Sequence, residues 1–133
     1  MKRKWRLYLD ASVLGGCFDT DEGWDVDSRR VVGYCIRGGA ALLWTDTLEA
    51  ELMDAPEEIR ALYRNIPDDH RERVDDSGQV RVLMQSYLDA GVVGPRWWED
   101  CLHVAAATVA RADAIVSWNF KHIVRTGFTL STP

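Results

Sequence analysis

The fold is decided by the stretch Trp5-Arg6-Leu7-Tyr8-Leu9-Asp10-Ala11-Ser12 near the start of the chain. Its first part alternates and then runs apolar, which predicts a β-strand over residues 5–9. Asp10 ends that strand with a carboxylate, and a charge at a buried strand end is costly unless something compensates it. Asp10 is therefore our first candidate metal ligand, with an Asp that caps the next helix as the alternative.

Two further apolar runs, residues 40–44 and 114–118, resemble buried parallel strands in length and composition. Thr45 follows the first run and Asn119 follows the second. Ligands of open parallel sheets bind at the carboxyl ends of the strands. We therefore expect Asp10, Thr45 and Asn119 to lie at one edge of a sheet.

Helical periodicity fills most of the chain between these strands. The predicted helices are residues 25–37, a short helix after Thr45, and residues 56–65, 78–90 and 97–111. The side chains predicted to face inward from the helix over residues 78–90 are Val82, Leu83, Tyr87 and Leu88. The apolar face predicted for the helix over residues 97–111 consists of Trp98, Cys101, Leu102, Ala105 and Val109. The remaining elements are an edge strand near residues 71–74, a turn over residues 120–124 and a strand near residues 128–130. This order predicts a single domain over residues 1–133, with a mainly parallel central sheet between layers of helices.

Composition narrows the class of protein. The 133 residues fit one domain, and a net charge of -5 argues against a broad basic face for nucleic acid. It does not exclude a metal-dependent nuclease, because bound cations offset acidic ligands. The three cysteines are scattered, which favours reduced thiols over disulfides or a zinc site. The sequence has no apolar run of about 18–20 residues and no signal-peptide pattern, so we expect a cytoplasmic protein without a membrane partner.

Further carboxylates complete the candidate site. Glu51 lies on the short helix after the second strand, with Glu49 as its rival, and Asp100 lies near the start of the helix over residues 97–111. Solvated helix charges, and acids favoured by the helix dipole, are the alternatives. Carboxylate oxygens suit Mg²⁺ or Mn²⁺, and two such ions about 4 Å apart can clamp a phosphodiester.

Neutral and basic residues near these acids in the sequence are further candidates for the site. Asn119 can offer a ligand oxygen without charge, and Ser12 can orient Asp10 or merely cap. His103, Lys121 and His122 are candidates for contacts with substrate phosphates. A packed or capping His103 and ordinary surface roles for the other two are the alternatives.

Four segments, taken in order, resemble the motifs of the PIN domain family. They are Tyr8-Leu9-Asp10-Ala11-Ser12-Val13-Leu14, Thr45-Asp46-Thr47-Leu48-Glu49-Ala50-Glu51-Leu52, Asp100-Cys101-Leu102-His103-Val104-Ala105-Ala106-Ala107 and Ser117-Trp118-Asn119-Phe120-Lys121-His122. The alignment of the second segment selects Glu51 over Glu49. The resemblance spans nearly the whole chain, and four motifs in order are more specific than any one of them.

The resemblance implies a Rossmann-like α/β/α fold and a Mg²⁺ or Mn²⁺ site that cleaves single-stranded RNA. It implies Asp10, Glu51, Asp100 and Asn119 as ligands, supported by Ser12, Thr45 and Ser117. It also suggests a VapC-like toxin of a bacterial toxin–antitoxin pair, with an antitoxin protein as partner. A homodimer is compatible with the family.

Asn119 departs from the family pattern, because most members have a fourth Asp there, and its neutral side chain should weaken binding of a second ion. The Trp-Asn-Phe-Lys-His ending, residues 118–122, marks a branch of the family. A non-catalytic module that binds RNA or protein therefore remains the rival hypothesis. A phosphatase-like protein fits less well, because no Gly-rich phosphate loop follows the first strand.

Overall fold

A computed structural model describes residues 4–92 and 94–118 of the chain. In these residues the strands are β1 Trp5–Leu9, β2 Ala40–Trp44, β3 Arg71–Arg73 and β4 Ala114–Val116. The α-helices are α1 Ala11–Gly16, α2 Asp25–Ile36, α3 Asp46–Met53, α4 Glu57–Arg64, α5 Gln79–Asp89 and α6 Trp98–Val109. Short 3₁₀ helices at Asp68–His70 and Pro95–Trp97 lead into β3 and α6.

The four strands form one sheet in the order β3-β2-β1-β4, and every neighbouring pair is parallel. Trp5 pairs with Ala40 across β1 and β2, and Leu7 pairs with Ala114 across β1 and β4. Since all the strands run the same way, they all end at one edge of the sheet. We call this the carboxyl edge, and the residues that follow the strands there are Asp10, Thr45, Val74 and Ser117.

The alternation of side chains along the strands divides the core into two halves. Tyr8 and Leu43 face a cluster that includes buried residues of α5 and α6. Leu9 and Leu42 face a second cluster, built from α1 to α4. The sheet therefore lies between two helical layers, as the sequence predicts.

The predicted elements within the described residues are confirmed to within about two residues, and α1 is an additional short helix. The prediction that Val82 faces inward is wrong, because its side chain is 69% exposed, and Trp98 is 38% exposed at the start of its predicted face. The other members of the two predicted faces are buried or pack partly buried against the core: Leu83, Tyr87, Leu88, Cys101, Leu102, Ala105 and Val109. In α5 the buried residues are Val80 and Met84, and Val82 lies roughly 200° around the helix from Val80. The predicted turn over residues 120–124 and strand near residues 128–130 lie outside the described residues.

All three cysteines are buried and free, as expected from their spacing. Burial raises the pKa of the Cys35 thiol from its ordinary 9.0 to about 11, since the thiolate would have to form without water. Across residues 4–92 and 94–118, none of the helices is long and apolar enough to cross a membrane.

Candidate functional site

Asp10 lies directly after β1, where it is 4% exposed and caps the N-terminus of α1. Its Oδ1 accepts hydrogen bonds from the backbone N–H of Ser12, at 2.9 Å, and from the Ser12 hydroxyl. Its Oδ2 accepts a hydrogen bond from the Ser117 hydroxyl, which follows β4. A carboxylate offers about four acceptor positions, so these three donors fix its orientation and leave room for one more contact.

Trp118 is connected to this cluster by a hydrogen bond to Ser12. Its backbone N–H donates to the Ser12 hydroxyl oxygen at 3.0 Å, and its indole Nε1–H donates to the Oγ of the fully buried Ser28 at 2.9 Å. The indole ring stacks on Trp24, with ring centroids 5.5 Å apart. Ser12 and Ser117 therefore support Asp10 from an anchored stretch of chain.

A second cluster connects β2 and α3 to α6. Thr45 is fully buried and caps α3, because its Oγ1 accepts the Leu48 backbone N–H at 3.1 Å. The same Oγ1 lies 3.0 Å from the hydroxyl of Tyr8, which lies 2.6 Å from Nδ1 of His103. The other ring nitrogen, Nε2, lies 2.8 Å from Oε1 of Glu51. One continuous chain of hydrogen bonds thus runs from the start of α3 to Glu51 on the same helix.

The pKa of the Tyr8 hydroxyl is affected by residues of both clusters. Burial raises its pKa far above the ordinary 10.0, the hydrogen bond to Thr45 opposes this, and the negative charges of Glu51, Asp76 and Asp10 raise it further.

Glu51 and Glu99 form a carboxyl pair beside His103. Burial alone would raise the pKa of Glu51, but its hydrogen bond to His103, assisted by a hydrogen bond with Glu99, outweighs this and lowers it. The pKa of Glu99 is raised, first by its hydrogen bond with Glu51 and then by burial and by repulsion from Glu51. Of the two carboxyls, Glu51 is therefore the more acidic and Glu99 the less acidic.

Glu49 faces a different part of the molecule. It accepts a hydrogen bond from the Tyr63 hydroxyl at 3.4 Å and lines a cavity of about 240 Å³ with Arg60 and Arg71 among its other walls. The structure therefore places Glu51, and not Glu49, beside Tyr8 and His103 at the carboxyl edge.

The sequence pattern missed three residues of this region: Tyr8, Asp76 and Glu99. Asp76 is 8% exposed, and its Oδ2 accepts the backbone N–H of Thr47 at 3.0 Å and the Thr47 hydroxyl at 2.6 Å. It lies three residues after the edge strand β3, so the rule that selected Asp10 and Thr45, which directly follow their strands, passes over it. Glu99 was detectable because it lies four residues before His103, on the same face of α6.

His103 does not lie at the exposed edge of the site, where we expected it to contact substrate. It is 2% exposed, and Tyr8 and Glu51 occupy both ring nitrogens. The alternative of a packed histidine matches this placement. It is buried because it lies on the side of α6 that packs against β1, where its ring centroid is 5.4 Å from that of Tyr8.

Asp100 is half-buried in the first turn of α6. Over residues 4–92 and 94–118, no group of three or more His, Cys, Asp or Glu side chains is arranged so that it could hold a metal ion. Within the described part of the chain, Asp10 and Glu51 follow neighbouring strands, and no three-carboxylate group forms around them. Asn119, Lys121 and His122 lie outside the described residues.

Comparison with known proteins bears on the fold. No protein-family model and no curated protein matches the chain. Among solved structures, the chain is similar to one described as the crystal structure of VapBC2 from Rickettsia felis bound to a DNA fragment from their promoter. The TM-score is 0.54 at 13% identity, over 89% of this chain and 92% of that chain. This likeness shows the fold alone, and it confirms the predicted α/β class: a PIN-like three-layer architecture with a parallel central sheet.

Proposed function

We propose that the chain is a metal-dependent endoribonuclease that cleaves phosphodiesters of single-stranded RNA. The observation that carries this proposal is the position of Asp10 and Glu51. Asp10 directly follows β1, and Glu51 lies on the helix after the neighbouring strand β2, where hydrogen bonds through His103 connect it to Tyr8 of β1. The carboxyl edge is where open parallel sheets bind their ligands.

The donor set fits a hard divalent cation. Asp10, Glu51 and Asp100 would hold Mg²⁺ or Mn²⁺ through carboxylate oxygens, and Asn119 would add a neutral amide oxygen. Positive charge between these side chains would offset the repulsion that otherwise keeps carboxylates apart. When bound, the ion would lower the pKa of an attacking water and stabilise the charge that develops on the phosphate.

The chain's own residues orient the ligands and the substrate. Ser12 and Ser117 hold the Asp10 carboxylate by hydrogen bonds to both of its oxygens. Thr45 starts the helix that carries Glu51. Lys121 and His122 would contact substrate phosphates as cations or hydrogen-bond donors.

The proposal includes a cellular role. We propose that the chain is the cytoplasmic toxin of a toxin–antitoxin pair, with a small antitoxin protein and a second copy of the chain as partners. Its likeness to a chain of the VapBC2 structure supports this role at the level of the fold.

The second candidate is a module that binds RNA or a protein partner without cutting. Two observations favour it, the net charge of -5 and the neutral Asn119. It differs from the leading proposal in a measurable way, since a binding module holds RNA intact at every concentration of metal.

Cleavage of a labelled single-stranded RNA tests the proposal, with the parent chain assayed in Mn²⁺, in Mg²⁺ and in a chelator. We expect Asp10→Asn and Glu51→Gln each to reduce the metal-dependent rate by more than about 100-fold, because the loss of a ligand should exceed the roughly 10–100-fold loss caused by removing a group that only supports a ligand. Glu49→Gln is the matched control and should cut at the parent rate, because Glu49 faces Tyr63. An Asp10→Asn variant as fast as the parent would contradict the mechanism. RNA bound intact by the parent would favour the module.

A further inference from the structure

The buried chain of hydrogen bonds behind Glu51 has a role that the proposed function leaves open. We infer that Tyr8 and His103 are positioning residues, which hold the Glu51 carboxylate in the orientation in which it meets a divalent cation. This inference rests on the proposed function for its consequence in catalysis. The restraint on the orientation of the Glu51 side chain is argued from the hydrogen bonds of Tyr8 and His103.

The chain of contacts begins and ends on one helix. Thr45 caps α3, Tyr8 extends from β1, and His103 extends from α6 to reach Glu51 in the last turn of α3. Two elements that are distant in sequence from α3 therefore connect its first turn to the Glu51 carboxylate.

Burial makes this arrangement rigid. Tyr8 and Thr45 are fully buried and His103 is 2% exposed, so water does not compete for their hydrogen bonds. The Glu51 side chain is 27% exposed, which leaves it within reach of solvent on one side. A carboxylate that has Oε1 held by His103 and part of its surface open to solvent suits an ion that arrives from solvent, and that ion would compete with the hydrogen bond from Glu99.

One proton arrangement uses every donor of the chain once. The Leu48 backbone N–H donates to the Thr45 hydroxyl oxygen, and the Thr45 hydroxyl donates to the Tyr8 hydroxyl oxygen. The Tyr8 hydroxyl then donates to Nδ1 of His103.

Nε2–H of His103 completes the chain by donating to Glu51. Tyr8 therefore selects the tautomer that presents an N–H to the carboxylate. With protons on both ring nitrogens, the Thr45 hydroxyl would have no acceptor among the described contacts.

A purely structural role is the competing explanation. If Tyr8 and His103 only fill and satisfy the core, their loss lowers stability and leaves Glu51 and its metal affinity unchanged. If they position Glu51, their loss frees the carboxylate to rotate. The two explanations therefore differ in the rotamer of Glu51 and in the affinity for a cation.

Four single variants separate these explanations. Tyr8→Phe removes the hydroxyl and keeps the ring, and His103→Leu removes both ring nitrogens at similar volume. His103→Gln restores a donor near the position of Nε2. Tyr63→Phe is the matched control, because it removes another buried hydroxyl that donates to a glutamate of α3, Glu49.

Each variant is titrated with Mn²⁺ by calorimetry and assayed for kcat and KM on single-stranded RNA. Three-bond scalar couplings measure the Glu51 side-chain rotamer by NMR without metal. We expect Tyr8→Phe to weaken Mn²⁺ binding about 10-fold and His103→Leu about 100-fold, with kcat reduced and KM for RNA unchanged. His103→Gln should recover part of the loss, and Tyr63→Phe should match the parent.

Parent-like Mn²⁺ affinity and a parent-like Glu51 rotamer in Tyr8→Phe and His103→Gln would overturn the inference, even if both variants are less stable. Should His103→Leu fail to fold, these two milder variants decide. A parent that neither binds Mn²⁺ nor cuts RNA would refute the proposed function instead. In that case the scalar couplings alone test the inference. A single Glu51 rotamer in the parent, together with averaging over several rotamers in Tyr8→Phe, would support it. Averaging over several Glu51 rotamers in the parent itself would overturn it.

Discussion

At the scale of single residues, two adjacent glycines of α1 differ in the space available for a side chain. A Cβ on Gly16 would lie 2.5 Å from Ser28 Oγ and 2.8 Å from Trp118 Nε1, the two atoms that hydrogen-bond to each other. A Cβ on Gly15 would meet only Ile59 Cδ1, at an ordinary 3.6 Å. The missing side chain at Gly16 thus makes room for the indole that anchors the Asp10 cluster.

We therefore predict that Gly16→Ala destabilises the protein by about 1–3 kcal/mol, as overpacking of a filled site does. Gly15→Ala is the control and should be neutral or stabilising by up to about 1 kcal/mol, because alanine favours the helix. Thermal unfolding measures both, and Trp fluorescence reports the indole. Equal effects of the two substitutions would show that Trp118 is not packed against Gly16.

The site residues that were predictable from sequence are those with a local signal. Asp10 and Thr45 directly follow apolar strands, and Glu51 follows Thr45 on the next helix. Tyr8 had no such signal, because it looks like any apolar strand residue until its partners are known. Those partners, Thr45 and His103, lie 37 and 95 residues away along the chain.

At the scale of elements, residues that follow two neighbouring strands stabilise the first turn of one helix, α3. Thr45, from the end of β2, caps its first turn, and Asp76, from the loop after β3, binds the N–H and hydroxyl of Thr47. The first contact was predictable as N-cap chemistry. The second depends on β3 lying beside β2, which the sequence indicated only weakly.

We predict that Asp76→Ala destabilises the protein by about 1 kcal/mol, as the loss of a helix cap does. Asp75→Ala is the control: Asp75 makes the same two kinds of hydrogen bond to Ser77, but it is exposed, so water replaces them and the change should stay within about 0.5 kcal/mol. Urea unfolding midpoints compare the two variants. A larger loss for Asp75→Ala would contradict this view of how α3 begins.

At the scale of the whole molecule, the parallel sheet explains why distant residues meet. Four strands that run the same way bring Asp10, Thr45, Asp76 and Ser117 to one edge, although they span more than a hundred positions of the chain. The alternation of apolar strands with helices made this architecture predictable. The contacts within the edge were not predictable, since they depend on which helix faces the hydroxyl of Tyr8.

The most direct test of the central claim is an anomalous difference map from crystals of this protein soaked in millimolar Mn²⁺. The account predicts a peak at the carboxyl edge, about 2.1 Å from carboxylate oxygens of both Asp10 and Glu51, a distance typical of small divalent cations. An absent peak, or a peak held by other acidic residues such as Asp75, would contradict it.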